Sequence, residues 1–239
     1  MASSPFAGVP ALSEGSSRYG WKAIPGSSHE ILRRRLLAIP RESAVLDLGA
    51  GDGHLGSAVR GHVSHLTGVE SDPAAASTPA AATYDRWITA SLSPDLPVGR
   101  RFDVILCADI LEHLSDPDHL LRAARQWIEP GGRLFVSIPN VANVTVRLAV
   151  LAGRFPYSDR GLLDRTHLRF FTRRSALRLV EECGFAVDGV TATAMPVELA
   201  WPLLGRLPLR PLVRALTVAA ARLWPTLFGY QFVIEARAR

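Results

Sequence analysis

Between Ala44 and Gly56 the chain reads AVLDLGAGDGHLG, an apolar run that holds Asp47 and passes into Gly49, Gly51, Gly53 and Gly56, with a second acid at Asp52 and neither lysine nor arginine. The glycines spell G-x-G-x-x-G from Gly51 and, over the same residues, D-x-G-x-G-x-G from Asp47. Both patterns describe a backbone that turns sharply after a strand and comes close to a ligand. Glu70, the last residue of the next apolar run HLTGVE, can accept hydrogen bonds from both hydroxyls of a ribose. An adenosine-containing ligand follows. A loop that serves only its own tight turn would not need an acid at the second strand end.

Electrostatics separates the adenosine ligands. A pyrophosphate would bring negative charge to Asp47 and Asp52 with no nearby cation to offset it. S-adenosylmethionine presents an ammonium and a sulfonium at its methionine end, so an acid can pair with the amine while loop amides hold the carboxylate. The acidic glycine loop suits that molecule.

The surrounding elements must place this loop at a sheet edge. Strand-like runs AVLDLG, HLTGVE, DRWITAS, FDVILCAD and RLFVSIPN alternate with helical ones. Among the latter, HEILRRRLLAI is capped by Ser28 and closed by Pro40, and DPDHLLRAARQWI stops before Pro130, Gly131 and Gly132. FDVILCAD is apolar almost throughout, as a strand buried on both faces is. VTVRLAVLAGRF reads as helical, and the irregular stretch PYSDRGLLDRTHLRFF follows it. A helix RRSALRLVEECGF then stops at Gly184. AVDGVTATA and FGYQFVIEARA are the last strands. The expected architecture is an α/β, Rossmann-like doubly wound sheet of about seven strands, mostly parallel with an antiparallel last strand and a helical insertion before it.

With 239 residues, 48% of them hydrophobic, the chain can bury one large core. Residues 1–27 read as a flexible tail, and 28–239 as a single domain with a cap-like insertion at about 197–226. The start has neither a basic n-region nor a long apolar stretch, and Arg206, Arg210, Arg214 and Arg222 interrupt the best candidate for a membrane span. Cys107 and Cys183 suit core thiols in a reducing compartment. A cytoplasmic location follows, with peripheral contact at the inner face of a membrane as a further reading. The net charge of +5 comes largely from arginines scattered among apolar residues, so no nucleic-acid stripe is evident. Between Leu199 and Phe228 there are four arginines and no acid. This segment reads as a cap over the site or a homodimer contact, or as a lipid-facing surface.

Several motifs in order resemble class I S-adenosylmethionine-dependent methyltransferases, in particular the small-molecule branch with ubiquinone-biosynthesis and glycan-modifying enzymes. They are VLDLGAGDGHLG, GVESD, FDVILCADILEHLSDP, WIEPGGRLFVSIPN and GLLDRTHLRFFTRRSALRLVEECGF. The resemblance implies that Asp47 and the Gly49, Ala50, Gly51 and Gly53 backbone hold the methionine end of the cofactor and Glu70 the ribose. Ser71 and Asp72 would flank the adenine, and Ser91 stands where many relatives carry an aspartate for the adenine amino group. Asp109 and Ile110 would lie beside the methionine portion, with Tyr19 or Trp21 folding over the cofactor.

Methyl transfer of this kind is an in-line displacement that needs alignment in a dry pocket and calls for no metal. An oxygen nucleophile must lose its proton, and histidine titrates nearest neutral pH. His113, in the turn after the fourth strand, and His167, with Asp164 three residues before it, are the candidate catalytic residues. Their alternative is to brace the two loops. The other histidines, His29 and His54 among them, read as helix or surface residues. The expected acceptor is a small molecule or sugar-containing intermediate methylated on oxygen. The competing expectations are an NAD(P)-dependent oxidoreductase and a methyltransferase-like binding protein without turnover.

Overall fold

The structure, a computed structural model, describes residues 26–195 and 210–239. The tail, with Tyr19 and Trp21, and the first part of the insertion, with Trp201 and Arg206, lie outside the described residues.

Seven strands form one sheet: β1 (Ala44–Leu48), β2 (His65–Glu70), β3 (Arg86–Thr89), β4 (Phe102–Ala108), β5 (Ile128–Pro139), β6 (Phe185–Ala192) and β7 (Gln231–Ala238). Their spatial order is β3-β2-β1-β4-β5-β7-β6. The pairings from β3 to β5 are parallel, and β7 runs antiparallel between β5 and β6. The chain winds outward from β1 to β3, then crosses back to β4 beside β1. That reversal opens a crevice at the carboxyl ends of β1 and β4, the place where doubly wound sheets bind ligands.

The alternation of side chains along each strand feeds two cores. Val45, Leu66, Leu106 and Phe135 pack on one face with Leu32 and Leu36 of helix α1 (Ser28–Leu36). Leu46, Leu48, Ile105 and Val136 pack on the other with Leu120, Leu121 and Ala124 of α3 (Pro117–Trp127) and Leu179 and Val180 of α5 (Arg173–Glu182). β1 is buried at all five positions, as a central parallel strand should be. Cys107 and Cys183 are both buried free thiols.

The remaining helices are short α2 (His54–Ser57), α4 (Val144–Leu151), α6 (Arg210–Leu223) and α7 (Pro225–Phe228). The cap of α1 is one residue earlier than its sequence suggests. Ser27 is extended and its hydroxyl accepts from the Glu30 amide at 3.2 Å, so Ser28 is already helical and buried.

Candidate functional site

The loop after β1 is held by its neighbour strand. The amides of Gly49 and Ala50 both donate to Val69 O, at 2.9 and 3.0 Å, which folds the chain over the tip of β2. Gly49 and Gly51 have φ of +73° and +54°, where an L side chain is strained. A Cβ on Gly49 would lie 2.6 Å from Ile110 Cγ1, so the loop and the turn after β4 close on each other there. A Cβ on Gly51 would meet nothing within 4 Å, so beside that residue the backbone is open to an incoming ligand.

The cleft has a volume of about 280 Å³ and is walled by this loop, Glu70, and the stretch from Ala108 to Ile110 after β4. His29, His113 and Thr166 also reach it. Four carboxylates line it, those of Asp47, Asp52, Glu70 and Asp109, and among the described lining residues there is no lysine or arginine. That wall attracts an ammonium or sulfonium and repels phosphate.

Asp47 is 2% exposed, and its Oδ2 accepts from the Tyr84 hydroxyl at 2.7 Å. Burial raises its pKa from 3.8 to about 7; the Tyr84 hydrogen bond pulls it down and the charge of Glu70 pushes it up. Room for Tyr84 comes from the glycine motif. The tyrosine hydroxyl occupies the place a Cβ on Gly56 would take, and its ring lies 2.8 Å from a Cβ built on Gly68. The third glycine of the fingerprint thus passes a hydroxyl through to the acid at the strand end.

Glu70 already organises the rim. Its Oε2 accepts from Gly51 N at 2.9 Å, and its Oε1 from Ser71 N and from Asp72 N at 3.1 Å. A carboxylate has further acceptor sites for ribose hydroxyls. Ser71, which donates its hydroxyl to Glu70, and Ser91, beyond β3, are both exposed, and neither lines the cleft.

Asp109 adopts φ +52°, the single non-glycine residue with positive φ among the described residues. Its carboxylate is fixed by β5 and β7: Oδ1 accepts from the Ser137 hydroxyl and from Gln231 Nε2, the latter at 2.9 Å. Its Oδ2 lies 4.0 Å from Nε2 of His29.

The candidate catalytic residues are layered. His113 lines the cleft, with Nδ1 3.2 Å from Thr166 O. His167 stands behind it, 8% exposed, its ring 4.9 Å from that of His113 and nearly perpendicular to it. Burial and then the neighbouring His113 lower the pKa of His167, which favours its neutral ring. Asp164 is fully buried, and its Oδ1 accepts from the amide and hydroxyl of Thr166, at 2.9 and 2.7 Å. Neither His167 nor Asp164 lines the cleft. Ligand-type atoms of Glu112, His113 and His167 gather within 4.8 Å of one another, so one buried carboxylate and two imidazoles form a single polar knot at the cleft wall.

The sequence reading missed Tyr84, Ser137 and Gln231, and placed His29 and His54 outside the site. Both histidines line the cleft. A signal existed for His29, which lies three and seven residues before the core-facing Leu32 and Leu36 and so shares their helix face.

The family's sequence profile, described as a methyltransferase domain, matches residues 24–190. The chain belongs to the methyltransferase-domain family. S-adenosylmethionine is accordingly its cofactor, and the cleft fits that molecule: buried Asp47 and the carboxylate rim would face the cationic end, the backbone beside Gly51 is open, and Glu70 would hold the ribose. This assignment sets aside the nicotinamide alternative.

Relatives include the ubiquinone biosynthesis O-methyltransferase of Pseudomonas aeruginosa (strain UCBPP-PA14), 28% identical over 163 residues that cover 62% of this chain and 69% of that one. The enzyme of the same name from Aeromonas salmonicida (strain A449) is 25% identical over 154 residues, 60% of this chain and 63% of its own. The matched stretch thus spans about two thirds of their length.

Two solved structures share the fold. The N-methyltransferase NodS from Bradyrhizobium japonicum WM9, in complex with S-adenosylhomocysteine, has a TM-score of 0.58 at 13% identity and covers 91% of each chain. The [4+2]-cyclase SpnF has a TM-score of 0.59 at 20% identity, over 94% of this chain and 84% of its own.

Proposed function

We propose that this chain methylates an oxygen of a small molecule or sugar-containing intermediate, with His113 taking up the acceptor's proton. The observation that carries the reading is the position of His113. It is the histidine of the THLRFF-facing wall that reaches the cleft, and its Nδ1 is turned to a backbone carbonyl. With Nδ1 donating to Thr166 O, the tautomer is set so that Nε2 is the ring nitrogen at which the acceptor's proton would be taken up. His167 and Asp164 act as positioning residues. Asp164 fixes the turn that carries the Thr166 carbonyl, and the His167 ring packs edge-on against His113. Oxygen as the methylated atom is supported by the relatives' names.

When bound, S-adenosylmethionine supplies an activated methyl and a good leaving group. The chain's own work is to orient the two reactants, exclude water and hold the released proton on the imidazole.

The test is transfer of labelled methyl from S-adenosylmethionine to a panel of catechols, phenols and sugar nucleotides. Label on an acceptor oxygen, with one S-adenosylhomocysteine formed per methyl, is expected. His113→Ala should lower kcat by about a hundredfold, the usual size of a general-base contribution, while cofactor affinity holds. Label on nitrogen alone, or cofactor binding without turnover across the panel, would reject the proposal in favour of an amine acceptor or a binding protein.

A further inference from the structure

Helix α6 turns an apolar side to solvent. Leu212, Leu216 and Leu223 are 56%, 60% and 86% exposed, and Ala219 lies exposed between them. Spacings of four, three and four residues stack these side chains along one face of a helix. The opposite side carries buried Ala221. A surface helix of an isolated globular protein has the reverse arrangement.

A second exposed apolar group lies on α4, where Leu148 and Leu151 are 61% and 82% exposed. Hydrogen bonds tie the start of α4 to α7 and the glycine after it, the segment that directly follows α6. The side-chain amide of Asn140 donates to Thr226 O and Gly229 O at 3.0 and 2.8 Å, and that of Asn143, which caps α4, donates to Gly229 O at 2.9 Å. This junction sits at the carboxyl end of β5, whose Ser137 carbonyl receives the Asp109 amide of the cleft.

Charge decides what covers this face. Residues 130–158 and 199–234 contain no aspartate or glutamate, and both stretches carry arginines, with Arg147, Arg154 and Arg222 exposed. A symmetry-related copy would set arginine against arginine with no acid in either segment to pair with. A nucleic acid offers phosphates but nothing for rows of leucine. Apolar side chains flanked by arginines match the boundary between acyl chains and anionic headgroups.

We propose that α4 and α6 dock this protein on an anionic phospholipid surface, with α6 lying along the interface and the cleft at its margin. No helix among the described residues is long and apolar enough to cross a membrane, so the contact is peripheral. It is independent of which acceptor the cleft takes.

Flotation of the full chain with vesicles tests it, comparing phosphatidylcholine alone with phosphatidylcholine containing phosphatidylglycerol. The protein should float with the anionic vesicles, less so at raised salt, and stay behind with the neutral ones. Leu216→Glu/Leu223→Glu should lower partitioning about tenfold or more, as should Arg154→Glu/Arg222→Glu, with S-adenosylmethionine affinity by calorimetry unchanged in both. Because the second pair lies wholly on the surface, it serves if the first misfolds. Absence of flotation with anionic vesicles would overturn the proposal, as would flotation that neither pair alters. A dimer by light scattering that Leu216→Glu/Leu223→Glu dissociates, without flotation, would assign the face to a second copy instead.

Discussion

Asp47 carries a cost that a cationic ligand beside it would remove. In the unfolded chain it ionises near 3.8, and in the fold near 7. Folding therefore favours the protonated form. This group's contribution to stability is whole below pH about 4 and is lost as pH rises through 7, a change on the order of a few kcal/mol. An ammonium placed beside the carboxylate restores the ionised form, so cofactor binding below pH 7 must expel a proton. Affinity for S-adenosylmethionine should rise between pH about 5 and 7 and then level off, and calorimetry in buffers of different ionisation heat should report the released proton. Asp47→Asn should flatten that profile. Tyr84→Phe removes the hydrogen bond that favours the charged form, and should move the rise to higher pH while weakening binding by roughly tenfold. An unshifted profile in Tyr84→Phe would mean that the tyrosine only fills space. Glu70→Ala, which strips acceptors from the amides of Gly51, Ser71 and Asp72 as well as from the ribose, should weaken binding more, by about a hundredfold, as measured by the same titration.

Elements set these groups by packing, and the glycine loop shows how. Gly56→Ala would put a methyl where the Tyr84 hydroxyl sits. The expected cost is about 1–3 kcal/mol in chemical denaturation, with weaker cofactor binding because Asp47 loses its donor. Adding Tyr84→Phe to Gly56→Ala should recover part of the stability and none of the affinity, a non-additivity a double-mutant cycle detects. The elements themselves were legible because each is local. Apolar alternation marks the strands, and Pro40 and Gly184 close helices, each within a few residues. The loop backbone and Glu70 were legible for the same reason. Tyr84 reaches Asp47 across 37 positions, and Gln231 reaches Asp109 across 122. Such pairs have no periodic signature, and they appear only once the sheet brings strand ends together. His113, placed in a turn by sequence, owes its place on the cleft wall to a turn 53 residues further on, where Thr166 supplies the carbonyl.

At the scale of the whole molecule, a chain of net charge +5 folds so that its ligand cleft is lined by four carboxylates and, among the described lining residues, by no arginine or lysine. This separation of sign makes the cleft selective for cations, although the protein as a whole attracts anions. S-adenosylmethionine carries one net positive charge, S-adenosylhomocysteine none, and NADH two negative charges on its pyrophosphate. Saturation at about a hundred times the dissociation constant adds roughly 2.7 kcal/mol, which for a domain of this size raises the melting temperature by about 5–10 °C. Thermal unfolding should show that rise with S-adenosylmethionine and no rise with NADH. Raising the salt should shrink the S-adenosylmethionine shift and leave the smaller S-adenosylhomocysteine shift nearly unchanged, since screening acts on the charge that distinguishes them. Equal salt dependence for the two would place recognition in the adenosine half alone. The carboxylate wall would then serve the fold and the acceptor, not the sulfonium.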